Sequence, residues 1–253
     1  MFKIRRIYDD SRPCDKLVIE QVQAMMRSQF SLLSDDEIAA LPLQLKNTSH
    51  YHFRPMLFVS DDLKGHINGF AFMFYVSDIT FCYLDFISAA KYMTGRGIGS
   101  ALYKKVREES LALKATGLFF ECLPDIPSLC KDPKTLKENA SRLRFYEKFG
   151  ARPIINTKYE TPLTSGDDNP PFLIYDDLGC GIPLSVDRAK VVVRSILERR
   201  HSRICSKEYV EMVVNSFVDN PVRLREPRYN KIKASIASVV KGKISSVNEK
   251  KQD

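Results

Sequence analysis

One stretch of this sequence decides how the rest of the chain is interpreted: Leu84-Asp-Phe-Ile-Ser-Ala-Ala-Lys-Tyr-Met-Thr-Gly-Arg-Gly-Ile-Gly-Ser-Ala-Leu102. Its apolar start is typical of a buried strand, and the residues after Gly99 have the pattern of an amphipathic helix that continues to Glu109. Between them, Gly95, Gly97 and Gly99 lack the Cβ atoms that would keep a ligand away from the backbone. Because the first N–H groups of a helix have no partner within it, the turn is expected to bind an anion such as a phosphate or a pyrophosphate.

Two common nucleotide-binding motifs fit this turn poorly. A P-loop has a lysine directly after its last glycine, but Ser100 follows Gly99. A dinucleotide-binding turn reads Gly-x-Gly-x-x-Gly and opens the first strand–helix–strand unit of its domain. Here Leu102 occupies the position of the third glycine, and several predicted strands and helices precede the turn.

The turn instead resembles the pyrophosphate-binding motif of the GNAT acetyltransferase superfamily, Gln/Arg-x-x-Gly-x-Gly/Ala. Gly97 and Gly99 match the glycines of that motif, and Thr94 stands where Gln or Arg is usual. A second motif follows at the expected distance: Asn139-Ala-Ser-Arg-Leu-Arg-Phe-Tyr-Glu-Lys-Phe-Gly150 resembles the family's Asn, six residues, Tyr-Glu-Lys-x-Gly helix. Two motifs in the right order are more specific than either alone, and the resemblance covers roughly residues 1–178.

The resemblance implies an α/β (α+β) fold, in which helices flank a central, mixed and twisted sheet of about six to seven strands. The predicted order of elements, β-α-α-β-β-β-α-β-α-β-β, agrees with it. Within this order, Ser34 to Glu37 has the sequence of a capping box that opens a short helix, and residues 154–161 are predicted to form a strand.

Three segments are predicted: an acetyltransferase domain at 1–178, a helical appendage at 179–230 and a basic, flexible tail at 231–253. The appendage contains two amphipathic helices, and their apolar faces need a partner. That partner is either the body of the acetyltransferase domain or a second subunit, in a homodimer formed through these helices. The net charge of the chain is +8, and from His201 onward 11 Lys and Arg face 6 Asp and Glu.

Composition and spacing argue against several classes of protein. No apolar run approaches the roughly 20 residues that cross a membrane, and the first residues do not have the pattern of a secretion signal, so a cytoplasmic location is expected. The six cysteines and four histidines show neither a disulfide framework nor the spacing of metal ligands, so no metal is predicted. The basic tail lacks a nucleic-acid-binding motif, which disfavours nucleic acid as a partner.

Acetyl-coenzyme A is the donor that the resemblance implies. Backbone amides near Ile87 and Ala89 would pair with its pantetheine arm, and the glycine turn would bind its pyrophosphate. Asn139 would be a second contact, although it could instead cap its helix. The predicted coenzyme-binding residues are Ile87, Ala89, Gly95, Arg96, Gly97, Ile98, Gly99, Ser100 and Asn139.

The chemistry of acetyl transfer to an amine requires a base and an acid. An alkylammonium group, with a pKa of about 10.4, must lose a proton before it attacks, and a carboxylate is the usual acceptor. Asp85 and Glu121 are the two candidate bases, and each could instead be a structural carboxylate bonded to a backbone N–H or an arginine. Tyr146 stands where the family often places the tyrosine that protonates the coenzyme A sulfur, or it is simply a packed aromatic. His50 and His52 are weaker candidates for the acceptor groove, since loop histidines are usually just solvated.

We therefore expect an N-acetyltransferase that acts on a primary amine of a small molecule, a polyamine or a lysine side chain, within one ternary complex. One alternative is a GNAT enzyme with another acyl donor or an amino-acid acceptor. Another is a degenerate GNAT fold that binds or senses coenzyme A or contacts a protein, and Thr94 is the argument for it. Three stretches also resemble the acetyltransferase module fused to deacetylase or acetylpolyamine-amidohydrolase domains in some bacterial proteins: residues 143–154, 159–162 and 223–229.

Overall fold

The computed structural model describes residues 2–47, 53–62, 64–90, 92, 95–163 and 169–230. They form a mixed α/β fold of seven strands flanked by helices, as predicted from the two motifs. The chain divides into two compact units, which we call the first unit, residues 1–121 and 195–200, and the second unit, residues 122–194 and 201–253. No helix in the described ranges is long and apolar enough to cross a membrane.

The first unit contains four helices and a run of five neighbouring strands. In chain order these elements are β1 (Lys3–Ile7), α1 (Pro13–Gln29), α2 (Asp35–Ala39), α3 (Leu41–Lys46), β2 (Phe53–Asp61), β3 (Ile67–Val76), β4 (Phe81–Ala89), α4 (Ile98–Ala112) and β5 (Leu118–Cys122), with the last residue of β5 counted in the second unit. The strands pair in the order of their numbers, antiparallel except for the parallel pair β4–β5. The predicted capping box at α2 is confirmed, because Ser34 and Glu37 each bond the other's backbone N–H.

Helix α4 lies close to the sheet because Gly69 of β3 leaves room for it. A Cβ atom at Gly69 would lie 2.7 Å from the carbonyl oxygen of Ser88 and 2.9 Å from Cγ2 of Ile98. Ile98 and Leu102 are buried on this side of the helix. Glycine at position 69 therefore fixes how closely the start of α4 approaches β3 and β4.

The second unit contains the remaining strands and helices. They are α5 (Pro133–Glu147), β6 (Arg152–Pro153), β7 (Phe172–Asp176), α6 (Val186–Ser195) and α7 (Lys207–Asn215), with the last residue of α6 counted in the first unit. Strand β6 pairs antiparallel with β7. A π-helical turn, Ile196–Arg200, follows α6 and belongs to the first unit.

The strand predicted at residues 154–161 is wrong. Strand β6 ends at Pro153, and Asn156 adopts a left-handed conformation with φ of 63° that interrupts an extended chain. The hydrogen bonds of this segment are made with the C-terminal part of the chain: the N–H of Ile155 donates to the carbonyl of Arg223, and the N–H of Arg225 donates to the carbonyl of Pro153. Apolar alternation alone could not reveal this partner, which lies about seventy residues further along the chain.

The apolar faces of α6 and α7 are covered within the single chain. Their buried residues include Ala189, Val192, Val193, Val210, Val213 and Val214. A second subunit is thus not needed to cover these faces, and the homodimer remains a prediction. The domain boundaries at 178 and 230 also remain predictions, and the tail at 231–253 lies outside the described residues.

A buried carboxylate holds the C-terminal segment of the second unit in place. The side chain of Asp125 is fully buried and accepts hydrogen bonds from Nη1 of Arg225, at 2.6 Å, and from the hydroxyl of Tyr229. Arg228 lies 3.4 Å from the same carboxylate. Nearby, Glu147 of α5 accepts the backbone N–H groups of residues 228–230. Residues 225 and 228–230 are thus fixed to Asp125 and Glu147 of the same unit.

Asp125 should contribute strongly to stability in a pH-dependent way. Burial alone would raise the pKa of Asp125, but the hydrogen bonds from Arg225 and Tyr229 and the guanidinium charges outweigh burial and lower the pKa. A lowered folded-state pKa means that the contribution is present above about pH 4 and is lost as the pH falls through the folded-state pKa.

We expect Asp125→Asn to lower the free energy of unfolding at pH 7 by about 3–5 kcal/mol, because it leaves the arginines without their buried counter-charge. The difference from the parent should shrink as the pH falls below about 4. Denaturant unfolding across this pH range measures both effects. Glu211→Gln, which removes the exposed pair with Arg194, is the control and should leave the unfolding midpoint in place. A midpoint for Asp125→Asn as high as that of this control would contradict the prediction.

Candidate functional site

A β-bulge in β4 places Asp85 at the start of the site. Phe72 of β3 faces Phe86 and Met73 faces Leu84, so Asp85 is an extra residue that has no partner on β3. A bulge of this kind bends the strand and increases its local twist.

Strand β4 leaves β5 at the same point. The two strands pair only from Cys82 to Leu84, opposite Leu118 to Phe120, although β4 continues to Ala89. In the described part of the chain, the five residues of β4 after Leu84 therefore have no partner on the β5 side. We call this opening the splay.

The splay exposes specific backbone groups. The N–H of Ala90 donates to the carbonyl of Asn68 at 2.8 Å, so it points towards β3. Because N–H groups along a strand point alternately to its two sides, those of Ile87 and Ala89 point away from β3, towards the splay. Gln29, the last residue of α1, holds this end of β4 by donating to the carbonyl of Ala89 and accepting from the hydroxyl of Ser88. These N–H groups are the ones expected to pair with an extended pantetheine arm.

The glycine turn presents a second set of backbone donors. Gly95 and Gly97 have φ values of +80°, and Gly97 is the N-cap residue of α4. No side chain caps this helix, and its first helical hydrogen bond is donated by the N–H of Ala101 to the carbonyl of Gly97. The N–H groups of Ile98, Gly99 and Ser100 consequently have no partner in the helix, at the positive end of its dipole. Exposed Arg96 lies in the same turn, while Thr94 lies outside the described residues.

Asp85 forms an ion pair with an arginine, which was one of the two roles considered for it from the sequence. Its two carboxylate oxygens accept hydrogen bonds from Nε and Nη2 of Arg200, each at 2.9 Å. The carboxylate side chain is only 6% exposed, and its charge is the main reason why the pKa of Arg200 is raised. This geometry favours the structural interpretation for Asp85 over the role of base.

Glu121 has a different environment at the end of β5. It is partly exposed and accepts a hydrogen bond from the hydroxyl of Tyr83, which is buried on β4. Burial first, and then the charges of Glu121 and Asp85, raise the pKa of Tyr83. Tyr83 and Arg200 were not predicted from the sequence. The position of Tyr83 two residues before Asp85 was a usable signal, whereas nothing in the sequence connects Arg200 with Asp85.

The second unit contains the other predicted residues. Asn139 is fully buried; its Nδ2 donates to the carbonyl of Pro124 at 2.9 Å, and its Oδ1 has no hydrogen-bond partner among the described residues. The alternative N-cap role of Asn139 is wrong, because α5 begins at Pro133 and Asp132 caps it. Buried polar atoms normally have partners, so the free Oδ1 is consistent with a ligand contact.

Tyr146 and Cys122 are buried groups of the same unit. Burial is the main cause that raises the pKa of Tyr146, so its phenol carries a proton at neutral pH. Burial also raises the pKa of Cys122 to about 12, which keeps it a neutral thiol. His50 and His52 lie outside the described residues. Within the described ranges, no three His, Cys, Asp or Glu side chains form a group that could hold a metal ion.

Comparison with solved structures identifies the fold. A GNAT-family protein from Desulfovibrio desulfuricans has a TM-score of 0.52 and 15% identity, over 71% of this chain and 100% of that one. An aminoglycoside 6'-N-acetyltransferase complexed with coenzyme A has a TM-score of 0.51 and 16% identity, over 69% of this chain and 96% of that one. No protein-family model and no curated protein matches the sequence. At these identities the likeness shows the fold alone, and the predicted GNAT fold is confirmed.

We expect Gly97→Val to lower the affinity for coenzyme A at least about tenfold, because a β-branched residue at φ of +80° distorts the turn and adds atoms beside its amides. Calorimetric titration with coenzyme A measures the change. Gly65→Val is a matched control in the same unit: Gly65 has φ of +81° and, like Gly97, nothing within 4 Å of an added Cβ. If a folded Gly97→Val protein bound coenzyme A as tightly as the parent, the turn would not be part of the binding site.

Proposed function

We propose that the protein is an acetyl-coenzyme A-dependent N-acetyltransferase that acts on a primary amine within a ternary complex. The observation that carries the proposal is the splay in a GNAT fold. Among the described residues, β4 has no strand partner on the β5 side beyond Leu84, and the glycine turn that follows has amides with no partner in the helix. An extended amide-containing arm that ends in a pyrophosphate matches both sets of donors.

The residues present fit the donor mainly through backbone groups. Ile87 and Ala89 would pair with the pantetheine arm, and the amides of residues 98–100 would bind the pyrophosphate, with Arg96 available for additional charge. Asn139 is the predicted side-chain contact, and its Oδ1, which has no hydrogen-bond partner in the part of the chain that the structure describes, supports that role. When bound, the donor supplies an activated thioester whose carbonyl a backbone N–H of β4 can polarise.

Glu121 is our candidate for the base that accepts the proton of the amine. It is partly exposed at the end of β5, whereas Asp85 is paired with Arg200 on both oxygens. Because both oxygens of Asp85 already accept hydrogen bonds from Arg200, an amine would have to displace the guanidinium to reach them. Glu121 can act directly on the amine or through a water molecule.

The state of Cys122 favours direct attack by the amine over a mechanism with an acetyl-cysteine intermediate. The pKa of Cys122 is raised to about 12, so almost none of it is thiolate at neutral pH. The thiolate is the nucleophilic form of cysteine. Tyr146 is our candidate for the acid that gives a proton to the departing sulfur.

Two measurements test the function as a whole. A thermal shift with acetyl-coenzyme A reports donor binding, because a ligand that binds only the folded state raises the melting temperature. Release of coenzyme A is then followed with polyamines, aminoglycosides, amino acids and lysine peptides as acceptors. Turnover with an amine would support the proposal. Binding without turnover on any amine would favour the degenerate, coenzyme-sensing alternative, and no binding would contradict both.

Glu121→Gln should reduce kcat/KM by about 10²-fold or more while donor binding stays within about twofold of the parent, because general base catalysis is lost and the coenzyme contacts remain. Asp85→Asn is the comparison variant and should cost less than about tenfold, since its carboxylate is not the proton acceptor. Steady-state kinetics on the best acceptor from the panel give both values. A larger loss in Asp85→Asn than in Glu121→Gln would exchange the two roles.

Tyr146→Phe should lower kcat and kcat/KM together by about 10²-fold, with little change in coenzyme A affinity. The reason is that the phenolic proton is needed only when negative charge develops on sulfur, while the ring and its packing are kept. Kinetics across the pH range combined with calorimetry separate the two effects. If Tyr146→Phe turned over like the parent at every pH, Tyr146 would have only a packing role.

A further inference from the structure

The π-helical turn after α6 carries two consecutive arginines that form similar ion pairs in different surroundings. Arg199 contacts both carboxylate oxygens of Asp78, at 3.1 and 2.8 Å, and both side chains are about a third exposed or slightly less. Arg200 contacts both oxygens of Asp85, whose side chain is nearly inaccessible to solvent. Only the second pair lies at the bulge where the splay begins.

The surroundings of Arg200 are strongly acidic. Besides Asp85, the carboxylate of Glu37 of α2 acts on its guanidinium. Glu121 of β5 bonds Tyr83, on which the charges of both Asp85 and Arg200 also act. Two carboxylates, Asp85 and Glu37, thus act on one guanidinium. Glu121 is the neighbour of Asp85 in the sheet, because each of them directly follows the last pair of β4 and β5, Leu84 and Phe120. All of these residues belong to the first unit.

Removing the guanidinium would change what the remaining carboxylates can do. Asp85 would lose its counter-charge, and the two neighbouring carboxylates, Asp85 and Glu121, would then titrate as a coupled pair. Two like charges near each other disfavour ionisation of both, so Glu121 would hold a proton to higher pH. A protonated Glu121 cannot accept the proton of an amine.

From this geometry we propose that Arg200 is a positioning residue of the acetyl-transfer site, which neutralises Asp85 at the bulge and thereby keeps Glu121 available as the base at neutral pH. The catalytic part of this inference rests on the proposed function. The effect of Arg200 and Asp85 on the titration of Glu121 can be measured without any acceptor amine. Arg200 lies after residue 179, beyond the part of the chain whose sequence resembles the GNAT family.

Carbon-13 NMR of side-chain carboxyl groups in the full chain labelled at glutamate gives the first measurement. The Glu121 resonance is assigned by its absence in Glu121→Gln. In Arg200→Met we expect the titration midpoint of Glu121 to rise by about one pH unit. In the double variant Arg200→Met/Asp85→Asn, which lacks the uncompensated charge, the midpoint should return to within a few tenths of the parent value.

Arg199→Met is the matched control, since it removes an ion pair of the same kind from the same turn and should leave the Glu121 midpoint where it is in the parent. With an active acceptor, the acid limb of the kcat/KM profile should move in parallel with the NMR midpoint. At pH values below that limb, a rise of one unit corresponds to a loss of about tenfold. A purely structural role would lower the melting temperature without moving either quantity.

An unmoved Glu121 midpoint in folded Arg200→Met, or an equal rise in Arg199→Met, would overturn the inference. If Arg200→Met does not fold, Asp85→Asn alone decides the question. It leaves the guanidinium uncompensated, so the Glu121 midpoint should fall instead of rise, and an unchanged midpoint contradicts us. If the coupling is found but no amine is acetylated by the parent, the proposed function fails and the electrostatic assignment stands.

Discussion

The separation of β4 from β5 after Leu84 is the constraint on which the site depends. Strand β4 is longer than β5 and contains the bulge at Asp85, so only three residue pairs join the two strands. Every polar group that is freed beyond them must find another partner. The two strands, the bulge and the glycine turn are consecutive or neighbouring parts of one unit, and Gly69 fixes the start of α4 beside them. In the proposed function, the extended arm of the donor would lie beside this part of β4, where β5 no longer pairs with it.

Buried carboxylates in the two units are satisfied in a similar way. Asp85 in the first unit is paired with Arg200, and Asp125 in the second is paired with Arg225. Both arginines come from the part of the chain after residue 179. Burying a charge is costly unless it is paired and hydrogen-bonded, so each carboxylate depends on an arginine supplied from far along the sequence. The segment predicted as an appendage is thus an integral part of the interior of each unit.

Local patterns in the sequence predicted the fold well. The glycine turn, the helix with Asn139 and Tyr146, and the capping box at Ser34 are signals formed by residues close together in the chain, and α4, α5 and α2 occur at those positions. The start of a helix was harder to predict: α5 begins at Pro133, before the motif at Asn139, with Asp132 as its cap. Capping by a residue before a proline is easily missed when the apolar pattern starts later.

Partners that are distant in the sequence explain what could not be predicted. Arg200 is 115 positions from Asp85, and Arg225 is 100 positions from Asp125. No periodicity connects such residues, so the sequence alone could not distinguish a catalytic from a paired carboxylate at Asp85. The short β6 has the same cause, since its neighbour on one side is the segment around Leu224. The predicted coenzyme contacts are mainly backbone groups. Their prediction therefore required only the positions of the glycine turn and of β4, and not the partners of particular side chains.

The contact between β6 and the segment around Leu224 has a consequence for how copies of this protein behave in concentrated solution. An outermost strand with free N–H and C=O groups is a template onto which another molecule can add its own strand. Here β6 is last in the strand order, and the chain's own residues 223–225 occupy part of its outer side through the bonds of Ile155 and Pro153. Charged side chains surround this covering segment, with Arg223 and Glu226 exposed. This edge of the sheet is thus covered by the chain itself, with a segment too short and irregular to offer a new edge to another copy.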